Sequence, residues 1–163
     1  MGIVLFRIDD RLIHGQVVEG WFHYLHPDRI VVADDAAAAS SFQRDLMTLV
    51  VPYGVRTEIL TIKETAAGCL EGAYSACRAM ILFRLPKDAL SAIGCGLCID
   101  RLNLGGLHGV GRTRVLYKGI MATEEDIRDL QAILKLGIQV EIRSVPSEPA
   151  LDLKSLIEES HLF

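Results

Sequence analysis

The chain alternates short apolar runs with helix-forming segments along its whole length, and this alternation limits the fold more than any other feature. Several of the runs are unbroken stretches of Val, Ile and Leu, as expected of strands that are buried on both faces of a sheet. Strands that alternate with helices predict an α/β fold, with an open, twisted, mostly parallel seven-stranded sheet and helices on both faces. The predicted strands are Ile3–Ile8, Arg29–Ala33, Arg56–Leu60, Ala79–Phe83, Cys98–Leu102, Arg114–Ile120 and Gln139–Ile142.

The segments between these runs have helical spacing or a helix-forming composition. Thr123, followed three positions later by Asp126, predicts a capped helix start, and Gly137 is suited to end that helix. Arg114–Ile120 follows the fifth strand without an intervening helix, so we expect an antiparallel strand at one edge of the sheet. Residues 1–163 contain no linker or repeat, which predicts a single domain. The predicted helices are Gly15–Tyr24, Ala36–Leu49, Ile62–Cys69, Lys87–Ile93, Glu124–Leu136 and Asp152–Glu159.

Composition and charge exclude several classes of protein. Half of the 163 residues are hydrophobic, which is ample for one buried core. The 17 basic and 21 acidic residues give a formal net charge of −4 without a basic cluster, so we expect no nucleic-acid partner. No window approaches about 18 uncharged apolar residues, so we expect no membrane-spanning helix. The opening Met1–Arg7 lacks the features of a signal peptide, which favours a first strand and a cytoplasmic location.

The cysteines and histidines do not form a metal-binding pattern. Cys95 and Cys98 have CxxC spacing, but no second pair of Cys or His follows at the distance of a zinc site. We therefore expect buried thiols in a reducing compartment. His23 and His26 have no acidic or thiol partner at a fixed spacing, so we predict no metal site and no cofactor.

The segment Arg7–Val18, directly after the first strand, is the part of the chain richest in chemistry. Ligands of doubly wound sheets bind beyond the carboxyl ends of strands, so this segment would border the crevice. The predicted helix that follows begins near Gly15 and Gln16, and its free N–H groups and dipole favour an anion. Five ionisable side chains fall within eight positions, namely Arg7, Asp9, Asp10, Arg11 and His14.

This arrangement suits a histidine that carries a phosphoryl group transiently. Arg7 and Arg11 would bind the phosphate through their guanidinium groups, together with the helix start at Gly15 and Gln16. Asp9 or Asp10 would hold the arginines, or fix one imidazole nitrogen so that the other is the free nucleophile. Generic anion binding and a purely structural capping network fit the same residues, and the residues alone do not decide among these interpretations.

The same segment, RIDDRLIHGQVV, closely resembles the phosphorylation loop of the IIB subunits of the mannose/fructose/sorbose family. These subunits belong to the bacterial phosphoenolpyruvate-dependent sugar phosphotransferase system (PTS). The resemblance continues in order along essentially the whole chain. Further similar segments are Asp28–Asp35, Met80–Phe83 with Pro86 and Asp88, Asn103–Gly106, and Glu125–Ile127 through Gly137 and Ile138.

The resemblance implies a phosphotransferase that works through a phosphohistidine. His14 would accept a phosphoryl group at Nδ1 from a phosphohistidine of the IIA protein. It would pass the group to a sugar that is bound by the membrane components IIC and IID, so the protein would associate peripherally with the membrane. Arg7 and Arg11 match the family's two basic residues beside the phosphate. No IIA domain precedes or follows in the sequence, so we expect the donor to be a separate polypeptide.

Other positions are candidates for supporting roles. Phe83, at the end of the fourth strand, either lines the crevice or is an ordinary core residue. The loop Gly105–Arg112, which includes Gly106, would form a backbone nest for the phosphate, a docking surface for IIA, or a flexible connection. Lys118 precedes the late helix and is a weaker candidate.

Three alternative functions make different demands on the sequence. A signalling receiver domain would need an acceptor aspartate after its third strand, where this chain has Glu58–Thr61. A dinucleotide-binding protein would need a GxGxxG motif after the first strand, and Asp34–Asp35 alone does not indicate one. A regulatory phosphoprotein that keeps the IIB fold and His14 remains compatible with the sequence.

Overall fold

The computed structural model describes residues 2–160 and confirms a mixed α/β fold. The strands are β1 (Gly2–Asp9), β2 (Arg29–Ala33), β3 (Arg56–Leu60), β4 (Arg78–Phe83), β5 (Arg101–Gly106), β6 (Arg114–Tyr117), β7 (Ile120–Ala122), β8 (Gln139–Ile142) and β9 (Leu151–Asp152). Helix α1 is π-helical over Gln16–Phe22 and α-helical over His23–Leu25. The other helices are α2 (Asp35–Ala39), α3 (Ser41–Leu49), α4 (Ile62–Leu70), α5 (Pro86–Gly94), α6 (Glu124–Lys135) and α7 (Leu153–Ser160).

A seven-stranded sheet carries the fold, in the order β3-β2-β4-β1-β5-β8-β9. Its strands pair in parallel except β9, which runs antiparallel to β8 at one edge. Strand β4 shows why both faces need helices, because Ile81 and Phe83 enter one buried cluster while Met80 and Leu82 enter the other. Both faces are therefore covered by apolar packing, as the continuous apolar runs predicted.

The expected edge strand at Arg114–Ile120 is wrong. The chain turns back at Lys118 and Gly119, where Gly119 has a φ of +72°, and the segment becomes a separate hairpin of β6 and β7. A two-residue turn with glycine in a left-handed conformation is typical of tight hairpins. The antiparallel edge of the main sheet is instead the short strand β9, of which only Asp152 falls in the predicted helix Asp152–Glu159.

The fifth strand and the second predicted helix also differ from expectation. Strand β5 begins at Arg101 rather than Cys98 and includes Gly105 and Gly106, although glycine is disfavoured in strands. The helix predicted over Ala36–Leu49 is divided at Ser40, whose extended backbone ends α2 and whose hydroxyl caps α3 by accepting a bond from the Gln43 N–H at 3.2 Å.

The expectation of buried thiols is wrong for half of the cysteines. Cys69 and Cys77 are partly buried, whereas Cys95 and Cys98 are exposed in the turn that follows α5. All four are free thiols. Among residues 2–160, none of the helices is long and apolar enough to cross a membrane.

Candidate active site

The sheet topology places a crevice between the carboxyl ends of β1 and β4. These two strands are parallel neighbours, with Ile8 opposite Phe83. From β1 the chain leads through α1 to β2 on one side, and from β4 it leads through α5 to β5 on the other. Connections that leave in opposite directions open a crevice at this point, which is where open α/β sheets bind ligands.

The loop after β1 is held in a strained turn. The Leu12 N–H donates to the Asp9 carbonyl at 2.9 Å, and Leu12 has a φ of +55°. Such a conformation costs a branched residue on the order of 1–3 kcal/mol, so packing has to maintain it. The side chains of Leu12 and Ile13 supply that packing, since both are buried in the cluster beneath α1. The turn directs the Leu12 carbonyl at His14.

His14 lies at the start of α1, as predicted. Its carbonyl accepts bonds from the N–H groups of Val17 and Val18, both at 3.0 Å. Its ring is largely buried, with Nδ1 2.9 Å from the Leu12 carbonyl oxygen and Nε2 3.6 Å from Asp9 Oδ2. Nε2 has no hydrogen-bond partner among the described residues. A phosphoryl group on Nδ1, as the resemblance implies, requires that the contact with Leu12 be given up.

Arg7 lies beneath the site rather than at its surface. Its side chain is fully buried, donating to Asn103 Oδ1 at 2.5 Å and Asp9 Oδ2 at 2.8 Å. It also donates to the carbonyls of Arg143 and Ser144. Burial lowers the pKa of Arg7, and the charge of Asp9 opposes that shift. In this arrangement Arg7 positions Asp9, and direct contact with a phosphate would require Arg7 to move.

Neighbouring side chains explain why β5 ends with two glycines, Gly105 and Gly106. A Cβ on Gly105 would lie 1.8 Å from Arg7 Cζ, and one on Gly106 would lie 2.5 Å from His108 Cε1 and 3.2 Å from Asp9 Oδ2. The two positions therefore make room for the Arg7–Asp9 ion pair. Their supporting role is steric.

Arg11 is the exposed cation beside His14. Its Nε is 3.4 Å from Asp9 Oδ1, its Nη2 donates to Gln16 Oε1 at 2.8 Å, and 39 % of its side chain is exposed. Gly15 and Gln16 are exposed and line a larger groove of about 720 Å³ on the other flank of α1, with Tyr24 and Pro146. Gln16 thus reaches the site through Arg11.

Asp10 ties the site to the glycine-rich loop. Its carboxylate accepts bonds from the N–H groups of His108 at 2.5 Å and Gly109 at 3.0 Å, and it lies 2.9 Å from His108 Nδ1. Burial acts to raise the pKa of Asp10, but these bonds outweigh it and hold that pKa below its ordinary value. The backbone nest considered for phosphate is therefore occupied by Asp10, with Arg112 3.8 Å away.

Arg84 belongs to the site and was not predicted from the sequence. It directly follows β4, and its Nε donates to Asp34 Oδ2 at 2.7 Å while its Nη1 donates to the Asp10 carbonyl at 3.3 Å. Arg84, Arg11 and His14 line one cavity of about 370 Å³. The sequence signal for Arg84 is its place directly after an apolar strand, and the fold adds that this strand lies next to β1.

Several other candidates lie away from this cavity. Phe83 is fully buried and packs in the core against Phe6, with ring centroids 6.5 Å apart. Lys118 lies in the hairpin turn and lines a separate cavity with Arg143. Asp34 caps α2 through a bond from the Ala37 N–H, as well as holding Arg84.

One group of described residues has the donor atoms of a metal site. Single ligand atoms of Asp9, Asp10 and His108 lie within 4.8 Å of one another. These donors already have partners in the protein, because Asp9 is paired with Arg7 and Asp10 with His108. The group therefore acts as an ion-pair network that fixes the loop after β1.

Comparisons with known proteins match the chain to one family over nearly its whole length. The family model described as the PTS system sorbose subfamily IIB component matches residues 3–162. The fructose-specific EIIB component of Bacillus subtilis is 32 % identical over 157 residues, which is 96 % of each chain. The mannose-specific EIIAB component of Escherichia coli K12 is 34 % identical over 158 residues, and the chain spans 49 % of its length. The crystal structure of the IIB domain of the Klebsiella pneumoniae sorbose permease superposes with a TM-score of 0.89 at 30 % identity, covering 98 % of both chains.

Proposed function

Because the chain belongs to the sorbose subfamily of PTS IIB components, which are phosphocarriers, we propose that His14 is the residue that carries the phosphoryl group. The observation that carries this proposal is the cavity that His14 shares with two arginines, Arg11 and Arg84. A phosphoryl group bonded to an imidazole is an anion, and two arginines that line the same cavity complement its charge.

The transfer breaks one N–P bond and forms another. The electron pair of the broken bond stays on the donor's imidazole nitrogen, and a lone pair of His14 forms the new bond to phosphorus. Catalysis is then mostly placement and stabilisation of charge on the phosphoryl oxygens. Arg11 and Arg84 supply that stabilisation, and no nucleotide is needed because the phosphoryl group arrives on another protein.

Asp9 decides which nitrogen of His14 is the nucleophile. Its Oδ2 lies 3.6 Å from Nε2, so a small rotation of the ring lets Asp9 accept the Nε2 proton. That bond leaves the lone pair on Nδ1, provided the contact between Nδ1 and the Leu12 carbonyl opens. Arg7 holds Asp9 in place for this purpose, and Asp10 holds the loop.

The partners follow from the family. IIB components work with a IIA phosphodonor and with membrane IIC and IID components, and some relatives carry IIA and IIB in one chain. We infer that this chain is loaded by a IIA protein and delivers to a sugar held by IIC and IID, at the membrane surface.

Phosphoryl labelling tests the assignment of His14. With phosphoenolpyruvate, the general PTS proteins and a IIA protein, we expect one phosphoryl group per chain, labile in acid and stable in base. His14→Ala should abolish labelling because it removes the nucleophile. His23→Ala is the matched control, since His23 is exposed near the end of the same helix, and it should label normally. Stable labelling of His14→Ala would refute the proposal.

A further inference from the structure

Helix α3 presents an apolar stripe to solvent. Surface helices normally bury their apolar face, and α3 does bury Met47. Five further large apolar side chains are nevertheless exposed, three of them in the helix at a spacing of three to four residues and two in the segment that follows it. The members of this apolar stripe, with their exposed fractions, are Phe42 (74 %), Leu46 (53 %), Leu49 (81 %), Val50 (49 %) and Tyr53 (106 %).

The apolar stripe is continuous with the proposed site. Leu46 and Val50 line the same cavity as His14, Arg11 and Arg84. The cavity is thus lined by two arginines and by two half-exposed apolar side chains. Contiguous exposed apolar surface of this kind marks interaction sites on proteins.

We propose that the apolar stripe is the docking surface for the phosphohistidine-bearing face of the IIA donor. This inference rests on the proposed function of His14. In-line transfer brings the donor's imidazole nitrogen to within a few ångströms of His14, so the donor's surface has to cover the rim of the cavity. Burial of the rim excludes water, and burial of the stripe supplies affinity.

Charge complementarity selects the donor over other occupants. Before transfer the donor carries the phosphoryl anion, while Arg11 and Arg84 have only the carboxylates of Asp9 and Asp34 as charged partners, so the phosphoryl group of the donor is attracted to the two guanidinium groups. After transfer His14 carries the anion itself, and the arginines no longer attract a membrane partner. A second copy of this chain, packed stripe to stripe, would bring the arginines of both copies together without an anion between them.

Two phosphoryl donors of different size test the proposal. A IIA protein needs the docking surface, whereas phosphoramidate, a small donor, needs only the cavity. The double variant Phe42→Ser/Leu49→Ser changes two side chains that are largely exposed and do not line the cavity. We expect the rate constant for transfer from IIA to fall about tenfold or more, with labelling by phosphoramidate unchanged.

The matched control is Leu70→Ser/Leu136→Ser, which removes two equally apolar, exposed side chains from other helix ends. It should leave both rates unchanged. An unchanged rate with IIA in the stripe variant would overturn the docking proposal. The docking proposal would also be overturned if the stripe variant accepted the phosphoryl group from IIA at the normal rate but transferred it slowly to the sugar. A wild-type dimer that dissociates in the stripe variant would overturn it as well. Failure of wild-type His14 to accept a phosphoryl group from either donor would instead overturn the proposed function.

Discussion

The guanidinium of Arg7 is shut off from solvent and paired with Asp9 at 2.8 Å. A buried ion pair is tolerated when further hydrogen bonds satisfy most of its polar atoms. Asn103 and two backbone carbonyls accept from Nη1 and Nη2 of Arg7 here, whereas Nε has no partner among the described residues. The chain has to leave space for this group inside a parallel sheet. Gly105 provides that space, because it has no Cβ beside the Arg7 guanidinium.

Gly105→Ala should destabilise the protein and disturb the site. The new Cβ would lie 1.8 Å from Arg7 Cζ, so Arg7 would have to leave its pocket and Asp9 would lose its partner. We expect a loss in the free energy of unfolding of roughly 3 kcal/mol or more, measured by urea denaturation. Gly94→Ala is the control, because a Cβ there meets nothing within 4 Å, and it should be neutral or stabilising. Equal stability of the two variants would contradict this packing.

Arg84→Gln should slow phosphoryl transfer without unfolding the protein. The glutamine keeps a polar side chain beside Asp34 but removes one of two cations from the His14 cavity. A hydrogen bond to a charged group is worth about 1.5–3 kcal/mol, so we expect a decrease of about tenfold to a hundredfold with either donor. Arg56→Gln removes an arginine that is mostly exposed at the start of β3, and its kinetics should match the wild type. Wild-type kinetics in Arg84→Gln would exclude Arg84 from the site.

At the scale of elements, the sequence pattern identifies site residues that lie in one continuous segment. It misses site residues that are brought together only by the pairing of strands in the sheet. The loop Asp9–His14 was predictable because its charged residues follow one apolar strand directly. Arg84 was not, since only the pairing of β4 with β1 brings it to the same crevice. The predicted end of the fifth strand is wrong for a related reason. Glycine is disfavoured in strands, so the local sequence does not predict that β5 continues through Gly105 and Gly106. The Arg7 side chain that requires glycine there comes from β1.

Helix α5 contains a buried acid that should make stability depend on pH. Burial raises the pKa of Asp88 to about 6, and the nearby charge of Asp34 adds to this shift, against a bond from the Leu85 N–H. A carboxyl whose pKa is higher when folded favours the folded state while it is protonated. Its contribution is complete below the unfolded pKa of about 3.9 and is lost as pH rises through about 6.

Asp88→Asn separates this effect from those of other groups. Its amide oxygen can still accept from the Leu85 N–H, but it carries no charge at any pH. Between about pH 4 and pH 7 we expect the wild type to lose on the order of 1–3 kcal/mol relative to the variant, in urea denaturation series. Parallel pH profiles of the two proteins would show that folding does not raise the pKa of Asp88.

At the scale of the whole molecule, the parallel strands give the sheet two ends with different roles. The carboxyl edge is where the parallel strands end, and the amino edge is where they begin. His14 and Arg11 follow β1, and Arg84 follows β4, so the proposed chemistry lies at the carboxyl edge of the sheet. Helix α5 then returns the chain to the amino end of β5, which places Cys95 and Cys98 at the opposite edge. Partners that reach His14 therefore approach one edge, and modification of the other edge should not affect them.

Thiol modification tests this division. A maleimide should react first with Cys95 and Cys98, because both are exposed, and last with Cys69, where burial raises the pKa to about 11 and leaves little thiolate. Mass spectrometry after brief exposure identifies the modified residues. Protein modified only at Cys95 and Cys98 should accept a phosphoryl group from IIA at the unmodified rate, because the adducts lie across the sheet from His14. A marked decrease in that rate would mean that the donor also contacts the amino edge.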